Sequence, residues 1–411
     1  MLSCYFTVII HIVSEQQYFK EPIMTVGSCF IILLSVINAG LGADGSLNPY
    51  AQWENGPLKT EDFFPIAVWL QNPRNAERYR KVGINTYVAL WRGPTEEQLT
   101  ELKNAGMKVI CHQNKTALKH IDDPTIIGWM HGDEPDNAQS LGRGKGYGPP
   151  ILPKKIIEDY NKIRQTDPTR PVLLNLGQGV AWDGWHGRGI RTNHPEDYAE
   201  YVKGCDIASF DIYPAVHNKP EVAGNLWFVA KGVERLGKWT GGKKPIWNCI
   251  ECTRISNPDT KATPHQVKCE VWMSVIHGSM GLIYFVHEWQ PKFDEAALLH
   301  DPEMLSAVTA INRQITELAP VLNSPTIEDA ANVSSSNEAV PIAVMAKEYD
   351  GATYLFAVGM RGDKTTATFT IQHTEGIKTV EVISENRTIH LKNGVFRDDF
   401  DAWDVHLYRT K

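Results

Sequence analysis

Between Pro65 and Pro320, short apolar runs alternate with amphipathic ones. The apolar runs are "PIAVWL" (65–70), "INTYVAL" (84–90), "MKVICH" (107–112), "TIIGWMH" (125–131), "PVLLNL" (171–176), "DIASFDIY" (206–213), "PIWNCIE" (245–251) and "GLIYFVHEW" (281–289). They are rich in β-branched and aromatic residues, as strands covered on both faces are. Segments such as "TEEQLTELKNAG", "PKKIIEDYNKIRQT", "LWFVAKGVERLGKW" and "HQVKCEVWMSVIHGS" lie between them and read as helices. The first is expected to start at the N-cap Thr95 and stop at Gly106. Repeated strand–helix units demand parallel strands joined by crossover helices. Eight units in this span match a (β/α)8 barrel of about 250 residues. The expected fold class is therefore α/β, a (β/α)8 TIM barrel. A doubly wound open sheet is the rival, but its first strand–helix turn is usually glycine-rich, and "WLQNPRNAE" has no glycine.

After residue 324 the period changes to two. "PIAVMAKEYDGATYLFAVGMRGDKTTATFTI" alternates and carries an Asp-Gly turn at Asp350–Gly351; "KTVEVI", "RTIHL" and "DDFDAWDVHLYRT" continue the pattern. This predicts a small antiparallel β-sandwich-like domain over 325–411. The start of the chain differs again. "CFIILLSVINAGLGA", Cys29 to Ala43, has the apolar stretch and small-residue end of a secretory signal peptide. It is short for a transmembrane span. Lys20 is the only cation upstream, Met24 is a candidate start, and a membrane anchor is the competing reading. Cys29 precedes the apolar run, which gives a lipid anchor little support. The expected organisation is a targeting segment at 1–43, a catalytic barrel at 44–324 and the β domain at 325–411. The mature protein would be secreted or periplasmic, with no stable membrane span.

Composition narrows the function. The 411 residues are 42% hydrophobic and 22% charged, as in a globular protein, with 12 Trp. A net charge of −7 leaves no basic excess to neutralise phosphates, which excludes a nucleic-acid partner. Past residue 43 the cysteines are Cys111, Cys205, Cys249, Cys252 and Cys269, an odd number that argues against a disulfide framework. The C-x-x-C of Cys249 and Cys252 has no second pair nearby, so these read as buried thiols.

In a barrel of this kind, active sites lie at the carboxyl ends of the strands. Trp69 and Asn72 end the first strand, Trp91 and Arg92 the second, and His112 and Gln113 the third. The fourth offers His131, Asp133 and Glu134, just before a proline that cannot continue a ladder. Asn175 and Gln178 follow the fifth strand, Asp211 and Tyr213 the sixth, Glu251 the seventh, and His287, Glu288 and Trp289 the eighth. Strands four and seven lie nearly across the barrel, so Glu134 and Glu251 are expected to face each other. Cleavage of a glycosidic bond needs such a pair: one carboxyl protonates the leaving oxygen, and the other attacks or activates water. Asp211 and Glu288 are the reserve carboxylates. Long loops after strands four and five, the latter with Trp182 and Trp185, are expected to rim the cleft as sugar platforms.

The motifs "GWMHGDEP", "WNCIE", "LWRG", "FDIYP" and "VHEW" resemble those of the clan A glycoside hydrolases, over residues 65–320. The resemblance implies cleavage of β-glycosidic bonds in an oligo- or polysaccharide, with retention through a covalent glycosyl-enzyme. It implies Glu134 as acid/base and Glu251 as nucleophile, with Arg92 and Tyr213 supporting the nucleophile and Trp289 flooring the subsite. Trp69, His112, Asp133, Asn175, Asp211 and His287 complete the expected substrate-binding set, and neither cofactor nor metal is implied. One departure stands out: Asp133 replaces the usual Asn before the acid/base, and it can accept but not donate unless protonated. Two rivals remain, a carbohydrate-binding barrel that has lost catalysis and a metal-dependent hydrolase using His112, His131, His217 and His287. The first strand lacks H-x-H and the chain lacks H-E-x-x-H, which counts against the metal.

Overall fold

The computed structural model describes residues 49–411, so the targeting segment expected over 1–43 lies outside the described residues. Eight parallel strands close a barrel in chain order: β1 (Ile66–Trp69), β2 (Thr86–Val88), β3 (Lys108–Cys111), β4 (Ile126–Asp133), β5 (Val172–Leu176), β6 (Ile207–Phe210), β7 (Ile246–Glu251) and β8 (Ser279–Phe285). β8 returns to β1 with Ala67 opposite Ile283. Each predicted run overlaps one of these strands; β4 runs on to Asp133, and β8 starts earlier, at Ser279. The helices are α1 (Ala76–Lys81), α2 (Glu96–Asn104), α3 (Lys115–Lys119), α4 (Pro153–Thr166), α5 (Tyr198–Tyr201), α6 (Phe228–Trp239), α7 (Pro264–Ile276), α8 (Pro302–Glu317) and α9 (Ala319–Asn323). Among the described residues, none is long and apolar enough to cross a membrane.

The local signals act where expected. Thr95 caps α2 through a box with Gln98, and Gly106 follows the helix at φ 68°. The Asp350–Gly351 turn takes φ values of 50° and 72°. Left-handed backbone at both centres matches the right-handed twist of the hairpin strands it joins. Those strands are β10 (Ile342–Tyr349) and β11 (Ala352–Gly359), which follow β9 (Ala331–Ser335). β12 (Thr365–Ile371), β13 (Thr379–Val382), β14 (Arg387–His390), β15 (Val395–Phe400) and β16 (Val405–Thr410) complete the antiparallel region.

These strands form a five-stranded sheet, β10-β11-β16-β13-β14, and a three-stranded one, β15-β12-β9. Phe369 of β12 lies 5.2 Å from the Tyr408 ring of β16, so the two inner faces pack as a sandwich. The five-stranded sheet docks on the barrel through α7, where the Trp272 ring stacks on Phe356 of β11 at 5.5 Å. The barrel core continues into Phe356, Val358, Val405 and Leu407, and barrel and sandwich belong to one compact unit. With the barrel on one side and the sandwich on the other, α7 is buried almost all round.

Candidate active site

The mouth is built first from β4. Its last residues lead into "DEPDN", and Glu134 takes φ 42°, a left-handed conformation that is unfavourable for any residue with a side chain. Two features hold it there. The Glu134 amide donates to the Asn175 carbonyl at 2.9 Å, which ties the turn to β5. The fully buried Asp136 accepts from the Gly177 amide at 2.9 Å and from the Tyr198 hydroxyl at 2.7 Å, which ties it to the loop beyond. Gly177 matters for its missing side chain, since a Cβ there would stand 2.8 Å from Glu134 Oε1 and 2.9 Å from the Asn137 amide.

Glu134 opens onto a cavity of about 240 Å³ whose walls include Trp69, Asp133, Asn175, Gln178, Trp185, Asp211, Tyr213, Cys249 and Phe285. Glu134 shares a hydrogen bond with Asp211, just after β6. Burial, then the Asp211 charge, raises the Glu134 pKa far above the carboxylate range. Burial, then the Asp133 charge, pushes Asp211 up to about 7, although the bonds to Glu134 and Tyr213 oppose the rise. Two like charges in contact cannot both ionise, so one proton stays on the pair. Glu134 holds it and donates to Asp211. Asp133, exposed at the mouth, accepts from Asn175 Nδ2 at 3.0 Å. Asn175 is itself fixed by the Ser209 hydroxyl at 3.0 Å. The mouth therefore offers a protonated acid, an adjacent carboxylate and aromatic walls.

Glu251 is not part of it. It is fully buried, and its two oxygens accept from the Ala215 amide at 2.6 Å and the Val216 amide at 2.9 Å. It also shares a hydrogen bond with Glu270 of α7. Burial pushes Glu251 up to about 8 and raises Glu270 well above the usual carboxylate range. The expectation that Glu251 faces Glu134 is corrected: the turn after β6 and the helix layer capture its carboxylate, and Cys249 supplies the wall from β7.

The remaining candidates divide. Trp69, Asp133, Asn175, Asp211 and Tyr213 stand in the cavity with Glu134. Arg92 and His112 border a neighbouring one. Trp289 is half exposed and packs on Phe293 at 4.9 Å, without lining the cavity; Phe285 of β8 takes the place expected for it. His287 stands behind that wall, bonded to Gln71 at 3.2 Å, and burial pushes its pKa down to about 4. His131 bonds the Ile156 carbonyl, and His217 bonds Gln178. Among the described residues, no group of His, Cys, Asp and Glu converges as metal ligands. The five cysteines among the described residues are free and buried. Trp185 lines the cavity and donates to Asn137 at 2.8 Å. Cys249 was readable only as a buried thiol. Glu270 had a signal, an acid inside the apolar run "CEVWMSVI".

No family profile matches the sequence, and no curated protein matches it. Solved structures do match in fold. An α-amylase from Anoxybacillus, described as a new glycosyl hydrolase subclass, aligns over 85% of this chain and 98% of its own, with 10% identity and a TM-score of 0.50. A family 30 subfamily 8 xylanase from Clostridium acetobutylicum covers 85% and 95%, with 12% identity and a TM-score of 0.46. A putative α-galactosidase from Bacteroides fragilis covers 85% and 79%, with 9% identity and a TM-score of 0.47. The chain has a (β/α)8 barrel followed by a β domain, a fold it shares with the Anoxybacillus α-amylase.

Proposed function

We propose that this protein is a glycoside hydrolase acting on β-glycosidic bonds of an oligo- or polysaccharide. The observation that carries the reading is the hydrogen-bonded pair of Glu134 and Asp211 at the carboxyl end of the barrel. Glu134 keeps a proton at neutral pH and gives it to the leaving oxygen. Asp211, just after the next strand but one, is the carboxylate that attacks the anomeric carbon, and Tyr213 steadies it. Glu134 then takes a proton from the water that releases the sugar. The two carboxyls are in contact, closer than either geometric class, so retention rests on the motif resemblance. Retaining pairs stand about 5–5.5 Å apart and inverting pairs roughly 6.5–9.5 Å. The β linkage rests on the motif resemblance.

The test is hydrolysis of an aryl β-glycoside panel, with NMR of the first anomer released. The expected product is the β anomer, with activity lost in Glu134→Gln and Asp211→Asn. The withdrawal of Glu251 favours one rival, a barrel that binds glycans without cleaving them. Glycan binding with no turnover of any substrate in the panel would establish that rival instead.

A further inference from the structure

The strand ends around the mouth hold non-glycine residues in left-handed backbone: Leu70 at φ 48°, Ala89 at 61°, Arg92 at 53° and Glu134 at 42°. Such strain gathers at sites where it is put to use. Leu70, Ala89 and Arg92 all border one cavity of about 370 Å³ beside the acid pair. The two cavities share Trp69 and Asp133, so they are compartments of a single cleft.

The second compartment has an apolar floor and a lip of different character. Trp91 is 66% exposed there, and the Arg92 guanidinium lies 5.7 Å from the indole centre. The turn that presents them is braced. Gly93 donates to the Leu90 carbonyl at 3.1 Å, and the Gln98 amide donates to the Trp91 carbonyl at 3.1 Å. Gln98 is itself fixed in the capping box of α2. Arg92 itself is exposed, unlike the buried Arg170 and Arg188, which pair with Asp167 and Asp197. Among the described residues, no carboxylate pairs with Arg92, whose charge is permanent.

We propose that this compartment binds a sugar bearing an anionic substituent, a carboxylate or a sulfate, next to the residue whose bond is cleaved. The proposal rests on the glycoside hydrolase reading of the neighbouring compartment. An indole face packs against the C–H face of a sugar ring, and a guanidinium fork matches the paired oxygens of a carboxylate or sulfate. The carboxyl cluster around Glu134 repels an anion, so the charged substituent belongs at the outer lip. His112 lines this compartment and can hydrogen-bond the ring hydroxyls.

The experiment is calorimetric titration of Glu134→Gln protein, which binds without turnover. The probes are neutral, uronate and sulfated tetrasaccharides on β-linked gluco- and galacto-backbones. At least one anionic probe is expected to bind roughly tenfold tighter than its neutral counterpart, and the uronate and sulfate arms identify the group. Arg92→Gln should remove that advantage, Arg92→Lys should keep part of it, and added salt should reduce it. Equal binding of neutral and anionic probes, or an advantage that survives Arg92→Gln, overturns the proposal and leaves the hydrolase reading standing. No binding of any probe overturns the proposal; whether the hydrolase reading also falls is then decided separately by the aryl glycoside panel with wild-type protein.

Discussion

Glu251 and Glu270 meet in the layer between β7 and α7, where burial raises the pKa of both, and Glu251 fixes the turn that follows Tyr213. Its role is therefore to position, and the variant Glu251→Ala separates the two roles. Removing the acceptor leaves two buried amides unsatisfied, at roughly 1–3 kcal/mol each. The expected result is a clear drop in the urea midpoint. A nucleophile variant would instead lose activity at nearly constant stability.

The same pair sets a pH dependence of folding. Glu251, at about 8 in the folded protein against an ordinary 4.5, binds its proton more tightly when folded. Its contribution is thus fully present at acidic pH and is lost as pH rises through about 8. Stability should fall between pH ~4.5 and ~8, on the order of a few kcal/mol. Glu270→Gln supplies an amide donor to Glu251 that carries no titratable proton, and the decline should flatten. Urea unfolding across that range measures both.

Gly177→Ala tests the placement of Glu134. Gly177 has φ −83°, which alanine tolerates, so the fold should stay within about 1 kcal/mol of wild type. The new methyl would meet Glu134 Oε1 and the Asn137 side chain, forcing the carboxyl off its position. A fall in kcat of roughly a hundredfold is expected, since a misplacement of about 1 Å costs that much. Activity and melting temperature, read together, check it.

Asp211→Asn should lower the pKa of Glu134. Burial, the larger cause, remains, while the neighbouring charge is removed, so the value moves toward the ordinary range without reaching it. Carbon NMR titration of the Glu134 carboxyl reads this directly. In wild type, activity should rise as Asp211 ionises near 7 and fall only where Glu134 loses its proton at higher pH.

Much of the fold was legible because its signal is local. Eight short apolar runs between amphipathic segments are enough to specify the barrel strands, and Thr95, Gly106 and the Asp350–Gly351 turn act through their immediate neighbours. The site was legible only in part. Period-two alternation carries Trp247 and Cys249 toward the barrel interior and suggests the same for Glu251. At the last position of a strand, however, nearby donors decide the direction, and those come from residues 215, 216 and 270. The cost of burying a lone carboxylate pointed to Glu251 as functional; its partner Glu270 lay hidden in a helix read as amphipathic. Asp211 emerged as Glu134's partner because Glu134 turns left-handed at the strand end, a conformation that no residue type there announces.

The position of α7 bears on how the protein is made. The seventh helix of the barrel is covered by β11, and β11 pairs with β16, Val405–Thr410, far downstream of the last barrel strand. A nascent chain that has already delivered all eight barrel segments still lacks the cover for Trp272. Completion must wait for the C-terminal strand, and a chain cut short near Asn323 would present that tryptophan face to chaperones rather than to solvent-ready packing.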